Sequence, residues 1–198
     1  QALRQSGLAA RAGDRYPEAI ADLEKAVVLD PDNLSGHVLL GWTLHLAGQS
    51  DTAKTALKQA LKRDPTHIPA LNALGIVYLV AGNLPEAIAT HQQALSLKSD
   101  NEIARYNLSL AFHRLQDYNQ AILNAEAATT LEPHNPHPWV ALAIAHWDKG
   151  DKAAAQAAYQ QATALDARYR DRPFLAHLKN AGFAPAQIQT TQQILENH

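Results

Sequence analysis

Cysteine and methionine are both absent from the 198 residues of this chain. Without cysteine there can be neither a disulfide framework nor a thiolate metal site, although the absence fits reducing and oxidising compartments alike. The chain opens on Gln1 and runs at once into helical sequence with no signal-type apolar segment. We therefore expect an excised or processed piece with sequence upstream, and we leave the compartment open, with the cytoplasm favoured over export.

Long apolar runs and an excess of one charge are also missing. The longest apolar stretches, such as residues 74–81, fall short of the roughly 18 residues that a membrane span needs, so a transmembrane segment is excluded. The 17 basic and 19 acidic residues give a net charge of -2, with no block of like charges. No broad field attracts a polyanion, and nucleic acid is not expected as a partner.

What the sequence does contain is a repeat of 34 residues. Four series of positions share this period, and chance does not phase four series together. The first is alanine at Ala19, Ala53, Ala87, Ala121 and Ala155. The second is alanine at Ala26, Ala60, Ala94, Ala128 and Ala162. The third is small: Gly7, Gly41, Gly75, Ser109 and Ala143. The fourth has proline at Pro31, Pro65 and Pro133, with Ser99 and Ala167 in the remaining places.

Each period reads as two helices separated by a break. In the third unit, residues 68–81 precede Gly82-Asn83, and residues 84–97 follow. Proline has no amide hydrogen and restricts the residue before it, so Pro31, Pro65 and Pro133 end the second helices. Gly48, Gly82 and Gly150 are expected to close the first helices in the left-handed conformation. Since one hairpin cannot bury its own apolar face, stability has to come from stacked neighbours.

This arrangement resembles the tetratricopeptide repeat family. Leu74-Gly75, Tyr78, Gly82, Glu86-Ala87 and Ala94 stand where the family signature has its Leu-Gly, Tyr, Gly, Glu-Ala and Ala. The resemblance implies an all-α fold, a right-handed α-solenoid of antiparallel helix pairs. It covers residues 1–169 as five hairpins, about 1–33, 34–67, 68–101, 102–135 and 136–169.

Residues 170–198 depart from the period and predict two C-terminal capping helices. Phe174, Leu175 and Leu178 form one apolar stripe, and Ile188, Thr191 and Leu195 form another after the break at residues 182–185. We expect the outer surface of these helices to be polar, as the exposed end of a solenoid must be. The residues expected on that surface are Lys179, Gln187, Gln192 and Gln193.

In this family the first helices line a concave groove that usually receives a peptide or helix, so the resemblance also indicates where a partner would bind. The residue just after each small position is apolar: Leu8, Trp42, Ile76, Leu110 and Ile144. One turn away on the same faces lie Arg4, Val38, Asn72, Tyr106 and Val140. Further along lie Arg11, His45, Leu79, His113 and Trp147.

A continuous apolar strip is usually an interaction site, so we predict that a partner protein binds there as an apolar peptide or amphipathic helix. The aromatic residues Trp42, Tyr106 and Trp147 are the favoured anchors. The alternative is that these side chains pack inside the protein's own interior and leave no cleft. One subgroup of the family clamps a C-terminal carboxylate with basic and asparagine side chains, and that set is missing here, so chaperone tails are not the expected ligands.

No pattern for catalysis, metal binding or a cofactor is present. The sequence has no paired carboxylates, glycine-rich phosphate loop or nucleophile motif. His134 and His137 lie in an inter-unit turn without a third ligand nearby, and we read them as solvated loop histidines. His45 and His113 are expected to be polar groups of the groove or core that could make binding sensitive to pH. The chain is thus predicted not to be an enzyme, to bind no metal and to need no cofactor.

Three functions remain open from the sequence. The first is an adaptor, scaffold or assembly factor that holds a partner segment in the groove. The second is the targeting or regulatory part of a larger enzyme whose catalytic domain lies outside this chain. The third is a homo-oligomer formed through the uncapped first hairpin or the convex face.

Overall fold

A computed structural model describes residues 1–197, and the predicted all-helical fold class is confirmed. Eleven α-helices and two 3₁₀-helices, η1 and η2, follow one another in that part of the chain. The bounds of the first five are α1 Ala2–Ala12, α2 Tyr16–Leu29, α3 Leu34–Leu46, α4 Ser50–Arg63 and α5 Ile68–Ala81. Next come α6 Leu84–Leu97, α7 Glu102–Arg114, α8 Tyr118–Leu131, α9 Pro136–Lys149 and α10 Lys152–Leu165. The last three are η1 Ala167–Arg170, η2 Pro173–Ala181 and α11 Pro185–Glu196. Among residues 1–197, no helix combines the length and the apolar composition that a membrane span requires.

The first helices end at the glycine turns that the sequence predicts. Gly48, Gly82 and Gly150 all have positive φ, between 78° and 101°, which confirms the left-handed turns after the first helices. At the equivalent positions of the first and fourth repeats, Asp14 and Gln116 adopt the same conformation with φ of 56° and 62°. The turn geometry is therefore kept even where glycine is not.

The chain divides into two compact units, unit 1 from Gln1 to Ala81 and unit 2 from Gly82 onward. The core of unit 1 forms where second-helix leucines fill the space beside first-helix glycines. Leu23 and Leu57 are fully buried. A Cβ on Gly41 would lie 2.5 Å from Leu57 Cγ, and one on Gly7 would lie 2.8 Å from Leu23 Cγ. The glycines are thus required by close helix packing, as the small-residue series predicts.

Unit 2 contains the hairpins α7–α8 and α9–α10, joined by the contact between α8 and α9. Tyr159 takes the core position that Leu57 has in unit 1 and is fully buried. Its hydroxyl donates a hydrogen bond of 2.7 Å to the carbonyl oxygen of Tyr169 in η1. We call residues 167–197 the C-terminal segment. Because Tyr169 is also buried, this bond attaches the start of that segment to the last hairpin.

The C-terminal segment differs from its predicted register. Gln187, expected on the outer polar surface, is only 1% exposed, and Thr191 and Ile194 are fully buried with it. Ile188 and Leu195, the expected apolar stripe, are half-buried at its margins. The prediction for Gln187 was wrong because its amide finds hydrogen-bond partners inside unit 2, which offset the cost of burying it.

Candidate functional site

The face of unit 1 formed by α1, α3 and α5 keeps apolar side chains accessible. Leu8, Trp42 and Ile76 are each half-buried at the three equivalent positions. Trp42 and Val38 pack at their base against the buried core of the unit. We call the surface made by Leu8, Trp42, Leu46, Ile76 and Val80 the unit 1 face.

Leu46 and Val80 also belong to this face, although they were not among the predicted groove residues. Their exposed fractions are 43% and 50%, and they are the exposed large hydrophobic residues of α3 and α5. Each lies four residues after Trp42 or Ile76, and side chains at this spacing share one side of a helix. The i,i+4 spacing was the signal in the sequence that could have found them.

Several polar groups at the edge of the unit 1 face already make contacts within the protein. The guanidinium of Arg4 donates a hydrogen bond of 2.8 Å to the Asn33 side chain, while Arg11 is half-buried. The rings of His45 and Trp42 have centroids 5.2 Å apart. Burial lowers the pKa of His45, so its ring is neutral at pH 7. The remaining two predicted residues lie inside, since Asn72 is 9% exposed and Leu79 is fully buried.

The equivalent face of unit 2, formed by α7 and α9, is not open. Leu110, Val140 and Ile144, all expected to line a groove, are 0% exposed. The expectation of an accessible wall at these three residues is corrected by the structure, because the C-terminal segment lies against this side of α7 and α9. We call the surface of Tyr106, Leu110, His113, Val140 and Ile144 the unit 2 face.

Hydrogen bonds fix the C-terminal segment on the unit 2 face. The Tyr106 hydroxyl donates to the carbonyl oxygen of Ala181 at 2.6 Å, and the Tyr106 and Phe183 rings lie 6.3 Å apart. The Gln187 amide nitrogen lies 3.2 Å from the carbonyl oxygen of Leu110 and 3.2 Å from His113 Nδ1. The oxygen of the same side-chain amide accepts a hydrogen bond from the backbone N–H of Ala184. Every hydrogen-bonding group of the Gln187 amide is therefore engaged.

The contacts of His113 define its protonation. Its Nε2 lies 3.0 Å from Asp148 Oδ2, and its Nδ1 faces the donating amide of Gln187. An Nδ1 that accepts from Gln187 carries no proton, so this arrangement requires the neutral ring with its hydrogen on Nε2. Burial lowers the pKa of His113, an effect that Asp148 opposes. Thr190 of α11 also donates to Asp148, at 3.3 Å.

Two other residues differ from their expected settings. His137 was read as a solvated loop histidine, but it lies in α9, half-buried between Tyr106 and Tyr169 at ring distances of 6.4 Å and 6.2 Å. Trp147, a favoured anchor, is half-buried, and the Lys152 ammonium lies 3.5 Å from its ring centroid. A cation at that distance competes with any ligand for the ring face.

A separate apolar surface lies on the first hairpin. A shallow cavity of about 440 Å³ is lined by Leu3, Ala21, Val28 and Leu29 together with Glu24 and Lys25. Val28 and Leu29 are 79% and 75% exposed. This surface is the one on which self-association through the first hairpin would depend.

The structure and the sequence together define a class: an all-helical repeat protein whose first-helix face is accessible in unit 1 and covered in unit 2. Family models described as "Tetratricopeptide repeat" match residues 10–75, 44–108, 103–135 and 136–169. The chain belongs to the tetratricopeptide repeat family. Proteins of this family bind other proteins, and their repeats are typically non-catalytic interaction modules.

Similar proteins agree with this assignment. The "Hsp70-Hsp90 organizing protein" of Triticum aestivum is 32% identical over 114 residues, which are 57% of this chain and 20% of that protein. A crystal structure of MamA has a TM-score of 0.71 at 23% identity, covering 84% of this chain and 91% of that one. A thermophilic TPR protein of Thermus thermophilus has a TM-score of 0.71 at 21% identity, covering 91% of this chain and 97% of that one. The chain thus spans about a fifth of the wheat relative, and the structural likenesses concern the fold alone.

Proposed function

We propose that this chain is a protein-interaction module whose unit 1 face binds an apolar peptide or amphipathic helix of a partner. The single observation that supports the proposal most is the exposure of Leu46 and Val80 beside half-buried Trp42 and Ile76. Apolar side chains that stay accessible on the same helix faces as half-buried apolar neighbours often mark an interaction surface. Trp42 is the anchor, because a half-buried aromatic ring on a firm base can bury much area with little loss of entropy.

The chemistry of the face argues against a ligand held by its carboxylate. Binding of that kind needs several cations on adjacent first helices, whereas α3 and α5 offer Val38, Trp42 and Ile76. Arg4 on α1 already donates to Asn33. An apolar ligand therefore fits this face better than a ligand held by its carboxylate.

Aspartate at two exposed positions of the face tests the proposal. We expect L46D with V80D to weaken partner binding at least about thirtyfold, because apolar contacts of about 2 kcal/mol are replaced by charges that must be desolvated. The measurement is quantitative capture from extract of the source cells, with bound proteins identified by mass spectrometry. Circular dichroism and the thermal midpoint check that both positions tolerate the change.

The matched control is V28D with L29D, which places the same charges on the apolar surface of the first hairpin. Capture by this control should equal capture by the wild type. If the control loses the partner and L46D with V80D keeps it, the first hairpin is the interaction surface and the unit 1 face is not. Light scattering of the same control reports whether that surface supports a homo-oligomer.

A further inference from the structure

The C-terminal helix α11 contacts unit 2 differently from a further repeat. Within the repeats of unit 2, the first helix α9 packs on its own hairpin partner α10 and, among the preceding helices, mainly on the second helix α8. Helix α11 instead packs mainly on the first helix α9 and much less on the second helix α10. It therefore lies on the side of unit 2 that corresponds to the open face of unit 1, rather than continuing the stack.

The contacts that hold α11 resemble those of a bound ligand more than they resemble the helix packing of a repeat. The two helices of a repeat meet through small residues that let their backbones approach, such as Gly41 beside Leu57. The C-terminal segment uses an aromatic ring, Phe183, and the side-chain amide of Gln187, which reaches the Leu110 carbonyl oxygen. A side-chain amide that donates to a backbone carbonyl is a specific contact. An occupant lacking it would lose this hydrogen bond and leave the buried His113 Nδ1 without the donor that it faces.

We propose that residues 182–197 are a detachable internal ligand of the unit 2 face, and that a partner segment with an aromatic residue two residues before a helix and a glutamine in the first turn of that helix displaces them. The aromatic residue replaces Phe183 beside Tyr106, and the glutamine, four residues later, replaces Gln187. Small and branched apolar residues take the places of Thr191 and Ile194. This inference does not depend on the unit 1 face, since the two surfaces lie in separate units.

The backbone before α11 contains a turn at Gly182 that could act as a hinge, and the residues before this turn are anchored to unit 2. Gly182 has φ of 88°, a left-handed conformation, and the following Ala184 is extended before Pro185 starts α11. On the other side of the hinge, Leu175 and Leu178 are buried, and the Tyr159 hydroxyl binds the carbonyl of Tyr169. The segment before Gly182 is thus fixed to unit 2 while the helix after it is held largely by side chains.

Charge placed under α11 should expose the unit 2 face in the otherwise complete chain. Thr191 is 0% exposed, so T191K buries an ammonium unless α11 leaves. The probe is a fluorescein-labelled synthetic peptide of residues 181–197, measured by anisotropy. We expect it to bind T191K at least tenfold more tightly than it binds the wild type, whose face is occupied.

The control is Q193K, which adds the same charge to the exposed side of the same helix. It should bind the peptide no better than the wild type does. A peptide in which glutamine 187 is replaced by lysine should fail to bind T191K. Equal binding of the labelled peptide to T191K and to the wild type, with T191K still helical, would overturn the proposal.

Hydrogen exchange of the wild type tests whether α11 detaches from unit 2 even if T191K fails to fold. Detachment predicts that the amides of α11 exchange through an opening that leaves α9 protected, at least tenfold faster than the slowest amides of α9. If the amides of α11 and α9 exchange at the same rate in one cooperative step, α11 is an integral part of unit 2 and the proposal is wrong.

Discussion

Replacing His91 by leucine is expected to stabilise the protein by about 1 to 3 kcal/mol at neutral pH, since a buried polar group without a partner costs about that much. His91 lies in α6 and is 0% exposed, and neither ring nitrogen has a hydrogen-bond partner among residues 1–197. It occupies the position at which α2 and α4 carry the buried leucines Leu23 and Leu57. The repeat therefore accepts leucine at this place in two other hairpins.

The gain should widen as the pH falls. Burial lowers the pKa of His91 from 6.5 to about 4. Between these values the unfolded chain binds a proton that the folded chain does not. The proton-linked cost of burying His91 is therefore absent above pH 6.5 and grows progressively down to about pH 4. The cost to the wild type is about 2 kcal/mol by pH 5, at about 1.4 kcal/mol per pH unit.

Urea unfolding at pH 7.5 and pH 5 measures both effects. H91L should be the more stable protein at both values, with the larger margin at pH 5. His134, an exposed residue in the turn before α9, supplies the control, because H134L should change stability by less than about 0.5 kcal/mol. A loss of stability in H91L, or an unchanged margin at the lower pH, would mean that His91 is satisfied in the native protein.

Adding one methyl group at Gly41 should destabilise the protein by about 1 to 3 kcal/mol, the usual cost of overpacking a core. The new Cβ would lie 2.5 Å from Leu57 Cγ, 2.9 Å from its Cδ2 and 3.3 Å from the Ala53 carbonyl oxygen. The clash falls on the branched Cγ of a fully buried side chain, so Leu57 or one of the two helices must shift. Alanine is favoured over glycine in helices by about 1 kcal/mol, which offsets only part of this cost.

The same helix offers a matched control in Gly36. Around Gly36 the nearest atoms to an added Cβ lie 3.6 to 3.8 Å away, which is ordinary contact. G36A should thus stabilise the protein by up to about 1 kcal/mol through helix propensity, while G41A destabilises it. Thermal and urea unfolding of the two variants give the comparison, and changes of the same sign would show that helix propensity, not packing, decides both.

The repeat made most of the helical architecture predictable. Small residues at a fixed period, proline after the second helices and glycine after the first are local signals with local causes. The left-handed turns at Gly48, Gly82 and Gly150 therefore occur where they were expected. The pattern also holds at Gln116, where no glycine signals it.

The accessibility of the predicted groove residues was not predictable in the same way. Ile76 and Ile144 occupy the same place in the repeat, yet one is half-buried and the other fully buried. The difference comes from α11, a segment outside the repeat whose docking depends on tertiary contacts. The prediction that Gln187 is exposed was wrong for the same reason. A glutamine is expected at the surface unless its buried hydrogen-bond partners, here Leu110 and His113, are known.

Thiol labelling tests most directly whether one first-helix face is open and the other occupied. The chain has no cysteine, so I76C and I144C each introduce one thiol at equivalent places of the repeat. A maleimide reagent should modify position 76 at least tenfold faster than position 144, which becomes accessible only when α11 opens. Equal rates, or faster modification at position 144, would contradict the assignment of an accessible unit 1 face and a unit 2 face filled by the C-terminal helix.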